Sequence, residues 1–326
     1  MDNYLTYLYL LTPLHTGGSA DEGNLMGIAR EVHTEFPYMP ASSVRGKIRA
    51  EIAKAFNTDG VDAALKAEAE LLFGRKIVGG LQPTEGEVWF GDALLLFFPI
   101  ASLSHHLMWI TCPLWLERWS RWLTSPETAG GIKTLAQQCR THFKNQERPK
   151  TAVSSFPPDQ VYLQTALLTE QEIVMLDFDL VRHQLDTLTQ QSGIIAQLLG
   201  KILVLTDEDC IALVETGLQR EVRVMLEKNS KTVKGGSFRS EEAIPPETVM
   251  FLPWGTKPFN PNIVVSSNGE NESTPRSTVH NQQIKDQLLR SLQGRLQFGG
   301  LESLGRGWVQ LATSTTNEAT TQGVGK

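Results

Sequence analysis

Four groups of residues in this 326-residue chain have the types and spacing to do chemistry. The first runs from Arg30 to Lys54. Five basic residues there (Arg30, Arg45, Lys47, Arg49, Lys54) outnumber three acids (Glu31, Glu35, Glu51), and the excess sits beside the hydroxyls of Ser42 and Ser43. If Ser42-Ser43 cap a helix that carries Arg45, Gly46 and Arg49, its free N–H groups and positive dipole end attract a phosphate. The alternative is an ordinary amphipathic helix with a solvated charged face. The second group is Phe298 to Trp308, where Gly299, Gly300, Gly305 and Gly307 surround Arg306. Such a loop lets backbone approach a phosphate chain, with Arg306 supplying charge, or it is a plain glycine-rich turn. It is neither a P-loop nor a dinucleotide fingerprint. The third is a basic stretch, Arg223 to Glu242, with Lys228, Lys231, Lys234 and Arg239. It suits a hairpin laid across a nucleic-acid strand, or a solubilising loop. The fourth is His15 in a glycine-bearing loop with Asp21 and Glu22 close behind, an arrangement open to acid–base work.

These groups need a scaffold, and the composition supplies one. Hydrophobic residues make up 40% of the chain and charged residues 20%, enough for a substantial core. No run of 18 apolar residues occurs, so no membrane span is expected. The start, MDNYLTYLYLLTPLH, is acidic and lacks a signal-peptide pattern. Cys112, Cys139 and Cys210 are odd in number and widely spaced, fitting neither a disulfide framework nor a zinc site. A cytoplasmic, reducing compartment is the expectation. The net charge of −6 rules out a uniformly basic nucleic-acid coat but leaves room for a local basic groove.

Along the chain, residues 3–12 read as a buried strand, and Val44, Ile48 and Ile52 mark a helix reaching about Phe56. Residues 86–99 form two extended pieces around Gly91-Asp92. Residues 107–112 form a strand leading into a helix with Pro113 in its first turn and Trp115, Trp119 and Trp122 in the core. Asp207-Glu208 cap a helix, residues 219–226 alternate as a strand, residues 256–280 are a long polar loop, and a helix spans 281–292. A last strand covers 308–311, and residues 312–326 read as a disordered tail. The pattern predicts one α+β domain over residues 1–311 built on ferredoxin-like units.

Taken in order, IAREVHTEFPYMPASSVRGKIR, GEVWFGDALLLFFPIASL, WITCPLWLERW, KTVKGGSFRSEEAIPPETVMF and QFGGLESLGRGWVQL resemble one family across about residues 4–311. It is the RAMP-superfamily backbone subunit of type III-B CRISPR effectors, the fourth subunit of the Cmr complex. The resemblance implies an RRM-like, ferredoxin-like palm with finger insertions and a protruding β-hairpin thumb, here about residues 223–246. It implies copies stacked head-to-tail along a CRISPR RNA, neighbouring Cmr subunits, and thumbs that kink the guide–target duplex at six-nucleotide steps in antiviral defence. It further implies an endoribonuclease acting on target RNA with a divalent metal (Mg or Mn), through an Asp, a His and a thumb acid.

Residue by residue the match is uneven. Ser43, Arg45 and Gly46 match the family's RNA-gripping element, with Arg for Lys; Arg49, Lys231 and Lys234 add charge beside it. Gly299, Gly300, Gly305 and Gly307 match the C-terminal glycine loop around Arg306. His15 matches the loop histidine, and Glu241 and Glu242 match paired acids, which makes Glu242 the thumb-acid candidate. The catalytic Asp is missing: Leu25 stands at its position, and Asp21 and Glu22 are the only acids nearby. Asp21 is therefore the candidate for both catalysis and metal binding. Either Asp21 (or Glu22) reaches the target phosphate, or the subunit binds without cutting. A stand-alone CRISPR RNA processing enzyme is a further alternative. Glu35 and Ala41 replace family glycines.

Overall fold

The first strand, β1 (Asp2–Leu10), is buried from Leu5 onward on both faces, so its apolar run is continuous rather than alternating. The computed structural model describes residues 2–18, 21–22, 25–57, 60–74, 85–145, 150–189, 193–225, 227, 233, 238–261, 264–266 and 273–314. After β1 come a short hairpin, β2 (Asp21–Glu22) and β3 (Leu25–Met26), then α1 (Ala41–Phe56) and α2 (Ala63–Leu71). Next are β4 (Val88–Phe90), β5 (Leu94–Ser102), β6 (His106–Thr111), α3 (Pro113–Ser120) and α4 (Pro126–Phe143). A run of short elements follows: β7 (Ala152–Ser154), β8 (Val161–Tyr162), β9 (Leu167–Leu168), β10 (Ile173–Met175), α5 (Asp179–Gln184), α6 (Asp186–Thr189), α7 (Gly193–Leu199) and β11 (Ile202–Val204). Then come α8 (Asp207–Gly217), β12 (Gln219–Arg223), β13 (Arg239–Ala243) and β14 (Val249–Thr256). The chain ends with β15 (Val264–Ser266), β16 (Ser273–Pro275), α9 (Thr278–Ser291), β17 (Gly294–Gln297) and β18 (Trp308–Ser314).

The main sheet has the order β10-β7-β11-β6-β5-β14-β1-β18-β17, with β4 also on β14. Its centre, β18-β1-β14-β5, is antiparallel throughout. With α1 between β1 and β5, and α9 between β14 and β18, this is the ferredoxin-like βαββαβ order 4-1-3-2. Residues 103–248 are inserted in the hairpin between its second and third strands. The α+β expectation and the ferredoxin-like core therefore hold.

Strand side chains alternate between two cores. Leu8, Leu10, Met250 and Leu252 meet Val44, Ile48 and Ile52 of α1 and Ile284 and Leu288 of α9. On the other face Tyr7, Tyr9, Phe97 and Phe251 meet Trp119, Ile132, Phe178, Val181 and Ile195 from the inserted helices. An RRM stacks bases on aromatics of its open sheet face. Here that face is closed, with Tyr7 0% and Tyr9 3% exposed, so it offers no base-stacking platform.

Several boundaries differ from the sequence expectation. The first long helix begins at Ala41 with Pro40 as its cap, so Ser42 and Ser43 lie inside the first turn instead of capping it. A distant residue does the capping: the Asp92 carboxylate accepts from the Ala41 N–H at 2.7 Å. Asp207 and Glu208 are likewise first-turn residues behind the Thr206 cap. Of the three helical tryptophans, Trp115 and Trp119 are core, whereas Trp122 is 40% exposed. The polar segment 256–280 contains the β15–β16 ladder and the first turn of α9. Strand β18 runs on to Ser314 because it pairs with β1 as far as Leu5, so the expected tail loses its first three residues to the sheet. Residues 315–326 lie outside the described residues. The three thiols are free and buried. Burial raises that of Cys139 to about 12, which leaves it unreactive at neutral pH. No helix among the described residues is long and apolar enough to cross a membrane.

Candidate nucleic-acid interface

A strap, Leu14 to Thr16, ties the second, third and fourth sequence groups together and reaches Ala29, next to the first. Leu14 exchanges both backbone hydrogen bonds with Ile244, just past β13, at 2.9 Å each. The His15 carbonyl accepts from the Gly300 N–H at 2.9 Å, and Thr16 Oγ1 accepts from the Ala29 N–H at 2.9 Å. His15 is therefore held between the thumb base and the C-terminal glycine loop, and is 5% exposed. Its Nδ1 lies 2.8 Å from the carbonyl oxygen of Glu242.

The glycine loop is shaped by this strap. Gly299 has φ +79°, and a Cβ on it would meet the His15 carbonyl oxygen at 2.3 Å. Gly307 has φ +76°, and its Cβ would meet the Phe298 carbonyl oxygen at 1.8 Å. Both glycines are needed for close packing of backbone against backbone. Gly305, at φ +75°, closes a 3-10 turn in open space. Gly307→Ala is expected to cost about 2–3 kcal/mol, from the wrong-handed backbone plus the clash. Gly305→Ala, with conformation alone at stake, should cost about 1 kcal/mol. Equal losses in chemical denaturation would remove the packing explanation.

Arg306 does not present a free charge in this chain. It is 7% exposed, and its guanidinium lies 2.5 Å from the Glu221 carboxylate of β12. That guanidinium holds the Glu221 carboxyl below the usual range. The pair joins the glycine loop to the thumb base. Arg223 pairs with Glu241 at 3.0 Å. Glu242, 3% exposed, is bracketed by Arg30 at 2.8 Å and Arg220 at 3.1 Å. Arg30 also pairs with Glu215 of α8. The bracket partners Arg30, Arg220, Glu215 and Glu221 were missed by sequence reasoning as site residues. Arg30 was visible as a charge, but pairing across 212 residues leaves no local signal.

On α1 the four basic residues divide by partner. Lys47 is shared by Glu51 and Glu302 at 3.5 Å each, and Lys54 pairs with Glu51 at 3.3 Å. Arg45 lies 5.9 Å above the Phe73 ring and donates to the Phe73 carbonyl, and no carboxylate among the described residues neutralises it. Arg49, one turn along, has no ion-pair partner among the described residues. These two are spaced i, i+4, so they share a helix face about 5–6 Å apart. Gly46 is exposed with open space over its Cα, and Ser43 is half-buried. Asp92 already occupies the Ala41 N–H, which leaves the expected anion seat at the helix start partly filled. The face carrying Arg45 and Arg49 is thus the better phosphate grip.

Glu35, which stands where the family has glycine, adopts φ +58° and is exposed. Glu35→Gly is expected to raise stability by about 0.5–1 kcal/mol, because relief of left-handed strain exceeds the added chain entropy. A lowered melting temperature would contradict this.

The acids are arranged by sheet register. A second sheet runs β12-β13-β3-β2. Leu25 pairs with Ser240 on one side and with Glu22 on the other, while Met26 pairs with Glu241 and Asp21. Directly opposed residues share a sheet face, and neighbours along a strand alternate. Glu22, rather than Asp21, therefore has the register position beside Leu25. Asp21 and Glu22 are described in backbone only. Lys231 and Lys234, with most of the hairpin tip, lie outside the described residues. Among the described residues no three His, Cys, Asp or Glu side chains come together as a metal site, and Glu241 and Glu242 face arginines. The side chain of Asp21, the metal candidate, lies outside the described residues.

Known proteins share the sequence and the fold of this chain along its length. The chain is 26% identical to the CRISPR system Cmr endoribonuclease Cmr4 of Pyrococcus furiosus, over 99% of this chain and 98% of that protein. Among solved structures, one of the type III-B Cmr-beta bound to cognate target RNA aligns with a TM-score of 0.67 at 19% identity, covering 96% of this chain and 97% of that one. Oligomeric Cmr4 from Pyrococcus furiosus aligns at 0.59 and 24% identity, covering 97% and 99%. The sequence pattern of the RAMP superfamily spans residues 7–310, from β1 to β18 and through every strand and helix of the site, and the chain belongs to that superfamily.

Proposed function

We propose that this chain is the repeated backbone subunit of a type III-B Cmr complex, gripping CRISPR RNA and meeting target RNA, further copies of itself and other Cmr subunits in the cytoplasm. The observation that carries this reading is the end-to-end match to the Pyrococcus furiosus Cmr endoribonuclease Cmr4. The Arg45 and Arg49 face supports it, because a strand laid along it meets two charges that no carboxylate among the described residues has taken. The closed sheet face supports a backbone grip over base stacking. Co-expression with the other Cmr subunits and a guide tests it. The purified particle should contain this chain in several copies and protect the guide at six-nucleotide steps; a particle that assembles without the chain, or without RNA, would refute the reading.

Target-RNA cleavage is the second reading, and His15 favours it. Cleavage requires a 2′-hydroxyl to lose its proton while the leaving 5′-oxygen gains one. His15 is oriented by two backbone contacts and can carry one of those transfers. Glu242 is a poor choice for the other: its carboxylate is buried and bound by two arginines. Glu22, opposite Leu25, takes that place ahead of Asp21. If neither acid acts, the subunit binds without cutting.

A further inference from the structure

The Glu242 main chain and side chain do different jobs. Its carbonyl oxygen accepts from His15 Nδ1 at 2.8 Å. A carbonyl has no proton to give, so Nδ1 must carry the hydrogen whatever the charge of the ring. In the neutral ring Nε2 is then the nitrogen with the free lone pair. Among the described residues Nε2 has no hydrogen-bond partner. The tautomer of His15 is thus set by where one peptide carbonyl of β13 stands.

The main chain at Glu242 is held in the β12–β13 ladder opposite Arg220, and the residue is gripped a second time through its side chain. Arg30 reaches Oε2 of Glu242 from the segment after Ile28, and Arg220 reaches Oε1 from β12. Glu215 on α8 lies against both arginines, pairing with Arg30 and standing 3.9 Å from Arg220. Two separate elements converge on this one residue, and a third braces both of their arginines. On the far side, the glycine loop holds the His15 main chain through the Gly300 N–H. The imidazole is clamped between two backbones, and the charge cluster braces the one that carries Glu242.

We infer that Arg30 and Arg220 are positioning residues for His15: by pinning the Glu242 carboxylate they hold the carbonyl that keeps His15 as the Nδ1–H tautomer, leaving Nε2 as proton acceptor. Glu242 contributes by its backbone, and its carboxylate transfers no proton. The functional meaning rests on the reading of His15 as a proton-transfer group, but the tautomer can be measured without RNA.

The test is long-range ¹H–¹⁵N correlation on the full-length chain labelled at histidine nitrogen, at a pH where the ring is neutral. Wild type should show His15 as Nδ1–H alone. Arg30→Met should introduce the Nε2–H form, and Arg30→Lys should restore the wild-type pattern. If Arg30→Met does not fold, Arg220→Met is read instead: Arg30 still neutralises the buried carboxylate, and loss of one of its two pins should bring in part of the Nε2–H form. An Nε2–H ring in wild type overturns the inference, as does a folded Met variant with the wild-type tautomer. A clean Nδ1–H ring in a particle that leaves target RNA intact would remove the cleavage reading alone. An Nε2–H ring in a cutting particle would remove this inference alone.

Discussion

Reversing the charge of Arg45 and Arg49 together should lower guide-RNA affinity about 10²–10³-fold, while the same reversal at Lys47 and Lys54 should cost less than about tenfold. All four residues lie on α1, and composition cannot tell the pairs apart. Their partners can. Lys47 and Lys54 are already neutralised by Glu51 and Glu302, so a phosphate would have to displace a carboxylate to use them. Arg45 gives up only the Phe73 carbonyl, and its guanidinium can keep its place on the Phe73 ring while its other donors face outward. Glutamate is about as good a helix former as arginine, and neither site is buried, so the fold should survive. Binding measured against salt supplies a second reading. Loss of two phosphate contacts should flatten the log–log slope by roughly 2 for Arg45→Glu/Arg49→Glu, and by far less for the lysine pair. Equal losses in the two double variants would mean that α1 acts through net charge alone and that the partner argument is wrong.

How much of this was legible in the sequence depends on the range of the interaction. The helix Ala41–Phe56 was visible because Val44, Ile48 and Ile52 repeat at its own period. Its cap was not, because Asp92 reaches it from the turn between β4 and β5, beside the Met39–Ala93 bridge, while two serines offered a plausible local signal. In sequence the glycine loop reads either as backbone that approaches a phosphate or as a plain turn. Gly299 and Gly307 are instead needed where His15 and Phe298 carbonyls come too close for a Cβ. Arg306 looked like a phosphate ligand because sequence shows a charge and hides its partner; Glu221 takes it. The departure at Leu25 was readable from the resemblance, since one motif position carried the wrong chemistry. Its nearest substitute was not, because counting along the chain ranks Asp21 and Glu22 alike, whereas strand register separates them. The 4-1-3-2 core was within reach as a class, but the two-sided burial of the sheet depends on helices in residues 113–199, whose role no local pattern announces.

If the assembled particle cuts target RNA, Glu22→Gln should slow cleavage about 10²–10⁴-fold and Asp21→Asn less than about tenfold. The argument starts from Leu25, which can neither take a proton nor hold one. In the antiparallel β2–β3 pair the residue opposite Leu25 is Glu22, at a Cα separation of about 4.5–5.5 Å, and the two share a face. Asp21 is opposite Met26, one step along the strand, which belongs to the other face. Glutamine keeps the size and hydrogen-bonding reach of Glu22 but cannot ionise, so a binding role would survive the change and a proton-transfer role would not. Guide retention and target affinity should therefore stay within about twofold in Glu22→Gln, an interval set by surface-substitution effects of a few tenths of a kcal/mol. Leu25→Asp adds the converse test. Placed on a half-buried strand position between Ser240 and Glu22, an aspartate should accelerate cleavage in wild type and restore it in Glu22→Gln, read as product lengths at six-nucleotide steps. Should Asp21→Asn abolish cutting while Glu22→Gln does not, the register argument fails and the loop must reshape on RNA. If wild type leaves the target whole and Leu25→Asp begins to cut it, then this subunit is a binding-only backbone that lost one acid and kept its histidine in place.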